Sequence, residues 1–257
     1  MQRITCLFVI ALILGVGVFP FSFSPRVKAD VGYAGLYPTD DTYISTTNYT
    51  SNYGSLTYLR VSIDNTGQTK PNTDVWLKFN LSTVPANAII ESATLQLFAT
   101  VVTDTYDNVG ACYCKNNSWT ESTLTYLNAP LMDMNMTPMD PGPTITASGK
   151  WYSWNVKYAV EQSISHRQGS VTVFLFPFEN TLIHDSASHI DFFSKEMIEM
   201  GPRLTINWMT STTIYIRPDG SVDPLTSPIL HSGDTYTLTG DISFSSGNDG
   251  IVVEKDN

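Results

Sequence analysis

The sequence predicts an all-β protein, a jelly-roll-like β-sandwich, and two features of the chain support this. Short runs of β-branched and aromatic residues are broken by Asn, Gly, Pro and Asp about every ten residues, which is typical of strands and turns in sandwiches. Within residues 75–81, VWLKFNL, every second residue is apolar, so one face is core and the other faces solvent or a second layer. Strands of this length and spacing build two stacked sheets.

The clearest strands follow one another at regular intervals. They are TYIST (42–46), YLRVSI (58–63), VWLKFNL (75–81), ATLQLFATVV (93–102), SVTVFLFPF (170–178) and RLTINW (203–208). A single helix is expected over residues 154–164, because Val156, Ala159, Val160 and Ile164 follow the spacing of a helical stripe. We expect this helix to lie across one end of the sandwich.

The predicted sandwich occupies residues 30–208 and is flanked by segments of different character. Residues 1–29 combine Arg3, an apolar run, prolines and small residues up to Ala29, which predicts a signal peptide cleaved after Ala29. The alternative is an uncleaved membrane anchor. In either case the rest of the chain is exported, to the extracellular space or the cell surface.

A change of pattern near residue 209 predicts a domain boundary. Residues 209–213, MTSTT, are interpreted as a linker, and strand and turn signals restart over residues 214–257. The latter segment is short for an independent core. We therefore interpret it as the truncated opening of a longer β-rich domain.

The charge of the chain limits its partners. A formal net charge of −10 argues against nucleic acids and anionic membranes, which need a basic surface. A polyanionic glycan is a harder partner, although a local Lys/Arg patch can oppose the overall charge. Cys112 and Cys114 point to the same face of a strand and are read as an oxidised or buried pair, so the fold does not depend on disulfides.

Residues typical of catalysis are not arranged in a recognisable motif. The chain contains neither G-x-S-x-G nor H-E-x-x-H, so no catalytic residues are assigned and the chain is predicted not to be an enzyme. A zinc site built from His184, His189 and Asp185 or Asp191 is the weaker metal hypothesis, with solvated loop histidines as its alternative. Calcium is favoured over zinc, because Asp40 and Asp41 in TDDTY place two carboxylates at the mouth of the first strand. Solvated turn acids are the alternative interpretation.

Several separated stretches occur in an order that resembles one known family. They are DDTYISTTNYTSNYGSLTYLRV, VWLKFNLSTVPANAIIESATLQLF, WTESTLTYLNAP, WYSWNVKYAVEQ and FFSKEMIEMGPRLTINW. Over residues 37–208 the series resembles the DNRLRE domain, also described as carbohydrate-binding module family 96. Asn80 and Asn155 stand where the family usually has Asp, which weakens any cation site that depends on those acids.

The resemblance implies a non-catalytic jelly-roll-like sandwich that attaches an exported protein to polysaccharide, some relatives being linked with alginate. Residues 214–257 look like the start of a right-handed parallel β-helix, the solenoid of pectate-lyase-like proteins. The implied partners are therefore a polysaccharide, alginate-like or another cell-surface glycan, and other domains of the same polypeptide. Membrane insertion is not expected once the signal peptide is removed.

The stretch NSWTESTLTYLNAP, residues 117–130, supplies most of the candidate binding residues. Trp119 and Tyr126 are either buried corner residues or platforms on which a sugar ring stacks, and Glu121 and Asn128 could hydrogen-bond the sugar. Leu124 and Leu127 are predicted core. The set is completed by two cations of the closing stretch, Lys195 and Arg203.

The sequence is also compatible with two other functions. In the first, the chain is the N-terminal part of a polysaccharide lyase or hydrolase whose active site lies in the β-helix beyond Asn257. In the second, the protein is a structural adhesin, in which the sandwich binds a neighbouring protein or spaces the solenoid from the membrane.

Overall fold

A computed structural model describes residues 31–67, 71–86, 88–130, 140–177, 182–210, 214–223, 227, 229–239 and 250–254. The chain divides into two compact units, one spanning residues 29–211 and the other containing residues 212–257. No helix within the described ranges is long and apolar enough to cross a membrane. The predicted signal peptide lies outside the described residues.

The first unit is built almost entirely of strands, which confirms the predicted all-β class. Its elements in the described ranges are β1 (Val31–Leu36), β2 (Pro38–Ser45), β3 (Tyr58–Ile63), β4 (Asn72–Asn80), β5 (Ala88–Val102), β6 (Val109–Cys114), β7 (Lys150–Asn155), α1 (Lys157–Ser165), β8 (Ser170–Pro177), β9 (Ile190–Phe193) and β10 (Arg203–Thr210).

The strands of this unit form one continuous antiparallel ladder that curls into two layers. The front sheet contains β1, β10, β5, β9 and β3 in that order, with β7 along the other edge of β5. The back sheet contains β2, β4, β8 and β6. Strand β3 pairs with both β9 and β4, so it joins the two layers into the jelly-roll-like sandwich that the sequence predicts.

Alternation along the strands creates the core between the two sheets. Val75, Leu77 and Phe79 of β4 are fully buried, as are Leu95 and Leu97 of β5. Burying side chains of this size stabilises the fold by roughly 1.5–3 kcal/mol each. The sandwich is therefore held together by every second residue of its strands.

Helix α1 occupies the place that the apolar stripe predicts. It packs Ala159 and Val160 into the core and contacts both β5 and β8. Its first residue is Lys157 rather than Trp154, because Trp154 belongs to β7 and pairs with Leu95. Strand β10 continues to Thr210, two residues into the predicted linker, and residues 211–213 lie outside the described ranges.

The second unit contains short strands with mixed pairing. They are β11 (Ile214–Ile216), β12 (Val222–Asp223), β13 (Ile229–Ser232), β14 (Thr235–Leu238) and β15 (Ile251–Val253). Strand β11 pairs antiparallel with β12 and parallel with β15, while β13 and β14 form a hairpin. Arg217, directly after β11, forms ion pairs with Asp223 of β12 and with Glu254, directly after β15.

Candidate functional site

The outer face of the back sheet is covered by residues 115–130, here called the cover segment. Large side chains point outward from the back sheet: Ile44 of β2, Trp76 of β4, Cys112 and Cys114 of β6, and Phe174 of β8. With Trp119 and Leu124 of the cover segment they form a second buried cluster. The two cysteines are thus buried and are not joined by a disulfide. Of the polar-register positions of VWLKFNL, Trp76 and Lys78 face a second layer, while Asn80 is exposed.

Trp119 is the central side chain of this second layer. Its side chain is only 5% exposed and packs edge-on against Trp76, with ring centroids 6.0 Å apart. Its Nε1 donates a hydrogen bond of 3.0 Å to Thr172 Oγ1, and Lys78 Nζ donates to its carbonyl oxygen. Sugar stacking needs an exposed ring face, so the expectation that Trp119 is a platform gives way to its structural alternative.

The Asn-Tyr-Gly turn at residues 52–54 holds the cover segment in place. Asn52 Nδ2 donates hydrogen bonds of 2.6 and 2.7 Å to the carbonyl oxygens of Glu121 and Leu124. A Cβ atom at Gly54 would lie only 2.1 Å from the Glu121 carbonyl oxygen. The turn therefore needs both an amide side chain and a residue without Cβ to approach the cover segment.

The end of the cover segment is exposed. Asn128 closes its own turn, because its Oδ1 accepts from the Thr125 backbone N–H at 2.7 Å and its Nδ2 donates to the Thr123 carbonyl oxygen at 2.9 Å. Tyr126 is 42% exposed. Leu127 is 71% exposed, so its prediction as a core residue is wrong. It follows Tyr126 onto the surface because its backbone N–H is held by Tyr49 of the neighbouring loop.

Glu121 and Lys195, which the sequence places far apart, meet in an acidic cluster. This cluster consists of Asp41, Glu121 and Glu196 together with Lys195. Lys195 Nζ lies 3.0 Å from Glu121 Oε1 and 2.9 Å from Glu196 Oε1. The backbone N–H of Asp41 donates to Glu121 Oε2 at 3.1 Å, and Asp41 Oδ2 accepts from the Lys195 backbone N–H at 2.7 Å.

The electrostatics of the acidic cluster differ from one group to the next. Burial raises the pKa of Asp41 to about 7, and the charges of Glu196 and Glu121 add to this effect while the Lys195 N–H opposes it. Burial alone would lower the pKa of Lys195, but hydrogen bonds to Glu196 and Glu121 outweigh it and raise the pKa. Burial likewise opposes the net lowering of the Glu196 pKa, which hydrogen bonds from Ser194 and Lys195 produce.

Asp40 takes a different role from its neighbour. Its Oδ2 lies 2.9 Å from Lys78 Nζ, and its Oδ1 accepts a hydrogen bond of 3.1 Å from the Glu121 backbone N–H. Both oxygens are thus engaged in holding Lys78 and the cover segment. The two carboxylates of the predicted calcium pair, Asp40 and Asp41, thus have separate partners, and a cation site formed by this pair stays a prediction.

The outer face of the front sheet carries a row of aromatic side chains, here called the aromatic strip. It consists of Trp151 on β7, Phe98 on β5, Phe193 on β9 and Tyr58 on β3, all half-buried. Phe98 pairs across the ladder with Trp151, at a centroid distance of 5.4 Å, and stacks on Phe193 at 5.9 Å. Tyr58 lies directly opposite Phe193. The strip therefore crosses four neighbouring strands without interruption.

Two guanidinium groups flank the aromatic strip. Arg203 lies over Trp151, with its Cζ 4.9 Å from the ring centroid, and its Nη2 donates to the Glu199 carbonyl oxygen. Arg60 lies 5.2 Å over Tyr58 and forms a two-point ion pair with Asp191, with distances of 2.7 and 2.8 Å. Aromatic faces beside hydrogen-bonding and cationic groups form a surface suited to sugar rings.

The structure thus separates the predicted candidates. Glu121 and Lys195 meet in the acidic cluster, Trp119 is buried, and Tyr126 and Asn128 lie at the end of the cover segment. Arg203 flanks the aromatic strip, none of whose four residues was predicted. One signal for them exists in the sequence: Phe98 occupies the polar register of ATLQLFATVV, between the core residues Leu97 and Ala99.

The chain matches the model of a known protein family. The model of carbohydrate-binding module family 96 matches residues 32–208, which include both sheets of the first unit. No curated protein matches the chain.

Proposed function

The chain belongs to carbohydrate-binding module family 96, and from this premise we propose that it is a secreted, non-catalytic module that attaches its polypeptide to polysaccharide. The aromatic strip is the proposed binding surface. The single observation that supports this choice is the run of rings across four strands, because each ring is partly exposed and is held by a rigid sheet. A row of partly exposed rings on neighbouring strands suits an extended chain of sugar units.

The flanking cations favour an acidic polysaccharide of the alginate type. Arg203 contributes a positive charge at the Trp151 end of the strip, and a guanidinium can bind a carboxylate through two parallel hydrogen bonds. The charge of Arg60 is already matched by Asp191, so Arg203 is the expected contact for a uronate. This local charge would act against a net charge of −10 for the chain.

Affinity electrophoresis of the purified protein through gels containing alginate, pectin, xylan or cellulose tests the proposal. Trp151→Ala should weaken retention about tenfold or more, because a few large aromatic side chains carry much of the free energy of binding. Arg203→Gln should weaken retention by alginate and pectin and leave neutral glycans unaffected. Tyr126→Ala is the matched control, since it removes an exposed aromatic from the cover segment.

The outcomes separate the two surfaces. Equal retention of wild type and Trp151→Ala, with loss in Tyr126→Ala, would assign binding to the cover segment instead. Wild-type protein that migrates freely through every gel would contradict carbohydrate binding by this chain. Near-ultraviolet circular dichroism of each variant shows whether the sheet itself is intact.

A parallel strand pairing supports a second proposal, for residues 214–257. Ile214 of β11 pairs with Ile251 of β15 in parallel register, as successive coils of a β-helix do. This segment is proposed to open such a solenoid, in which a lyase or hydrolase active site would lie beyond Asn257. Repeated coils in the downstream reading frame would support it, and an unrelated downstream sequence would contradict it. The adhesin alternative predicts cell binding that survives removal of glycans.

A further inference from the structure

The acidic cluster carries more negative charge than its lysine neutralises. Asp41, Glu121 and Glu196 each offer a carboxylate oxygen, and these oxygens lie within 4.8 Å of one another. Lys195 Nζ contacts Glu121 and Glu196, and its ammonium is the one basic side chain placed between them in the described structure. Three carboxylates that converge around one ammonium leave the group short of positive charge.

Asp41 is the buried member of the cluster, and one of its oxygens has no partner. The residue is 1% exposed, and its Oδ1 accepts no hydrogen bond from the part of the chain that the structure describes. An unsatisfied buried polar atom destabilises the folded protein, and more so when it is charged. The carboxylate is nevertheless held in place, because its other oxygen accepts the Lys195 N–H. This arrangement points to a ligand that completes the Oδ1 coordination.

The geometry and the donor atoms indicate which ligand this is. Calcium binds oxygen atoms at about 2.3–2.6 Å, so ligands on opposite sides of one ion are about 5 Å apart. Carboxylate oxygens that all lie within 4.8 Å of one another can therefore reach one such ion. Magnesium is usually bound through one or two carboxylates and keeps several waters, and zinc prefers nitrogen and sulfur donors, so three converging carboxylates favour calcium.

The three ligands come from distant parts of the chain. Asp41 lies on β2 of the back sheet, Glu121 in the cover segment, and Glu196 in the loop that follows β9 of the front sheet. An ion held by all three would connect both sheets and the cover segment. Lys195 is partly exposed, so its long side chain can swing into solvent when the ion enters.

We propose that Asp41, Glu121 and Glu196 bind a calcium ion, which takes the place of the Lys195 ammonium between the carboxylates. The ion cross-links the ends of the two sheets and the cover segment. In its absence Lys195 acts as a tethered counter-ion.

Thermal unfolding of the purified protein, in EDTA and in 10 mM CaCl₂ at pH 7.5 and constant ionic strength, tests this site. A dissociation constant of about 0.1–1 mM, usual for extracellular modules, predicts a rise of about 3–8 °C in melting temperature. Asp41→Asn should lose this rise, because it removes the buried charge and keeps the shape. Glu91→Gln, which removes an exposed carboxylate from β5, should retain it.

Two further variants test the calcium site independently of Asp41→Asn. Glu196→Gln changes an exposed ligand, so it should also lose the calcium effect even where Asp41→Asn folds poorly. Lys195→Gln removes the competing ammonium and should lower the calcium midpoint, measured by isothermal titration calorimetry, at least about threefold.

The proposal is overturned by either of two results. One is the absence of any calcium effect on both wild type and Lys195→Gln, and the other is an equal effect in wild type and Asp41→Asn. Calcium is the only probe in these measurements. Failure to bind polysaccharide therefore leaves this test unaffected.

Discussion

The two outer faces of the sandwich carry similar aromatic residues, but those of the back sheet are buried and those of the front sheet are partly exposed. The back sheet points Trp76 and Phe174 outward, and the cover segment buries them with Trp119. The front sheet points Phe98 and Trp151 outward, and both stay half-exposed. An aromatic in the polar register of a strand is thus a core residue on one sheet and a surface residue on the other.

The difference between the faces arises from contacts made outside the strands. On the back sheet, Asn52 and Lys78 hold the backbone of the cover segment against the sheet through hydrogen bonds to its carbonyl oxygens. On the front sheet, Arg203 lies over Trp151 and leaves the strip half-exposed. A face that is sealed contributes to stability, whereas a face that remains partly open is available to a ligand.

The largest expected effect comes from making one substitution on each face. Trp119→Ala removes a buried ring and the hydrogen bond that its Nε1 donates to Thr172, so the free energy of unfolding should fall by about 3–5 kcal/mol. Trp151→Ala removes a half-buried ring, so it should cost less than about 2 kcal/mol and act mainly on glycan retention. Urea unfolding followed by fluorescence measures both values.

Equal losses of stability in the two variants would break this comparison. They would mean that Trp151 on the front face contributes as much to stability as the buried Trp119 on the back face. Phe176→Leu, a conservative change in a residue packed at the margin of the second buried cluster, gives the scale of a mild packing defect.

The fold could be predicted from the sequence further than the site could. Alternation in VWLKFNL and the strand YLRVSI predicted β4 and β3, the latter with its observed bounds of Tyr58–Ile63. Strands β1, β7 and β9 were not predicted, and β6 was expected only as the strand that carries Cys112 and Cys114. Strand β1 contains two glycines, while β7 mixes polar residues with tryptophans, so neither presents a continuous β-branched run.

A second prediction concerns Asp74, which lies on the same face of β4 as Trp76. Burial raises its pKa to about 7, although a hydrogen bond from Asn72 opposes this. The folded protein then binds more protons than the unfolded chain between about pH 4 and pH 7, so the Asp74 contribution to stability falls as the pH rises through this window. Above about pH 7 the contribution is constant.

Asp74→Asn should remove this pH dependence. The free energy of unfolding of wild type minus that of the variant should decrease by up to about 1.4 kcal/mol per pH unit from pH 4 to pH 7, about 2–4 kcal/mol in total. Guanidinium unfolding at four pH values measures the difference. Parallel pH profiles would show that Asp74 is accessible to water and that the outer face of β4 is not sealed at this position.

The site was less predictable because distance along the chain hides its contacts. Glu121 and Lys195 were each selected from the resemblance or from nearby aromatics, yet their contact depends on β2 and the cover segment closing over the same end of the sandwich. The residues next to Trp119 and Trp151 in the sequence do not indicate which of the two rings is buried. That outcome depends on the tertiary contacts of the cover segment, not on the periodicity of the strands.

The smallest predicted effect tests how the cover segment is anchored. Gly54→Ala places a methyl group 2.1 Å from the Glu121 carbonyl oxygen, so the turn or the cover segment must shift, at a cost of about 1–3 kcal/mol in unfolding free energy. Gly67→Ala is the matched control, because no atom lies within 4 Å of its added methyl group, and neither glycine has a positive φ. Calorimetry of the two variants measures the difference.

If burial of the back face depends on this close approach, Gly54→Ala should also increase the quenching of Trp119 fluorescence by acrylamide, whereas Gly67→Ala should not. A Gly54→Ala protein as stable as Gly67→Ala would mean that the cover segment is held by its buried side chains alone.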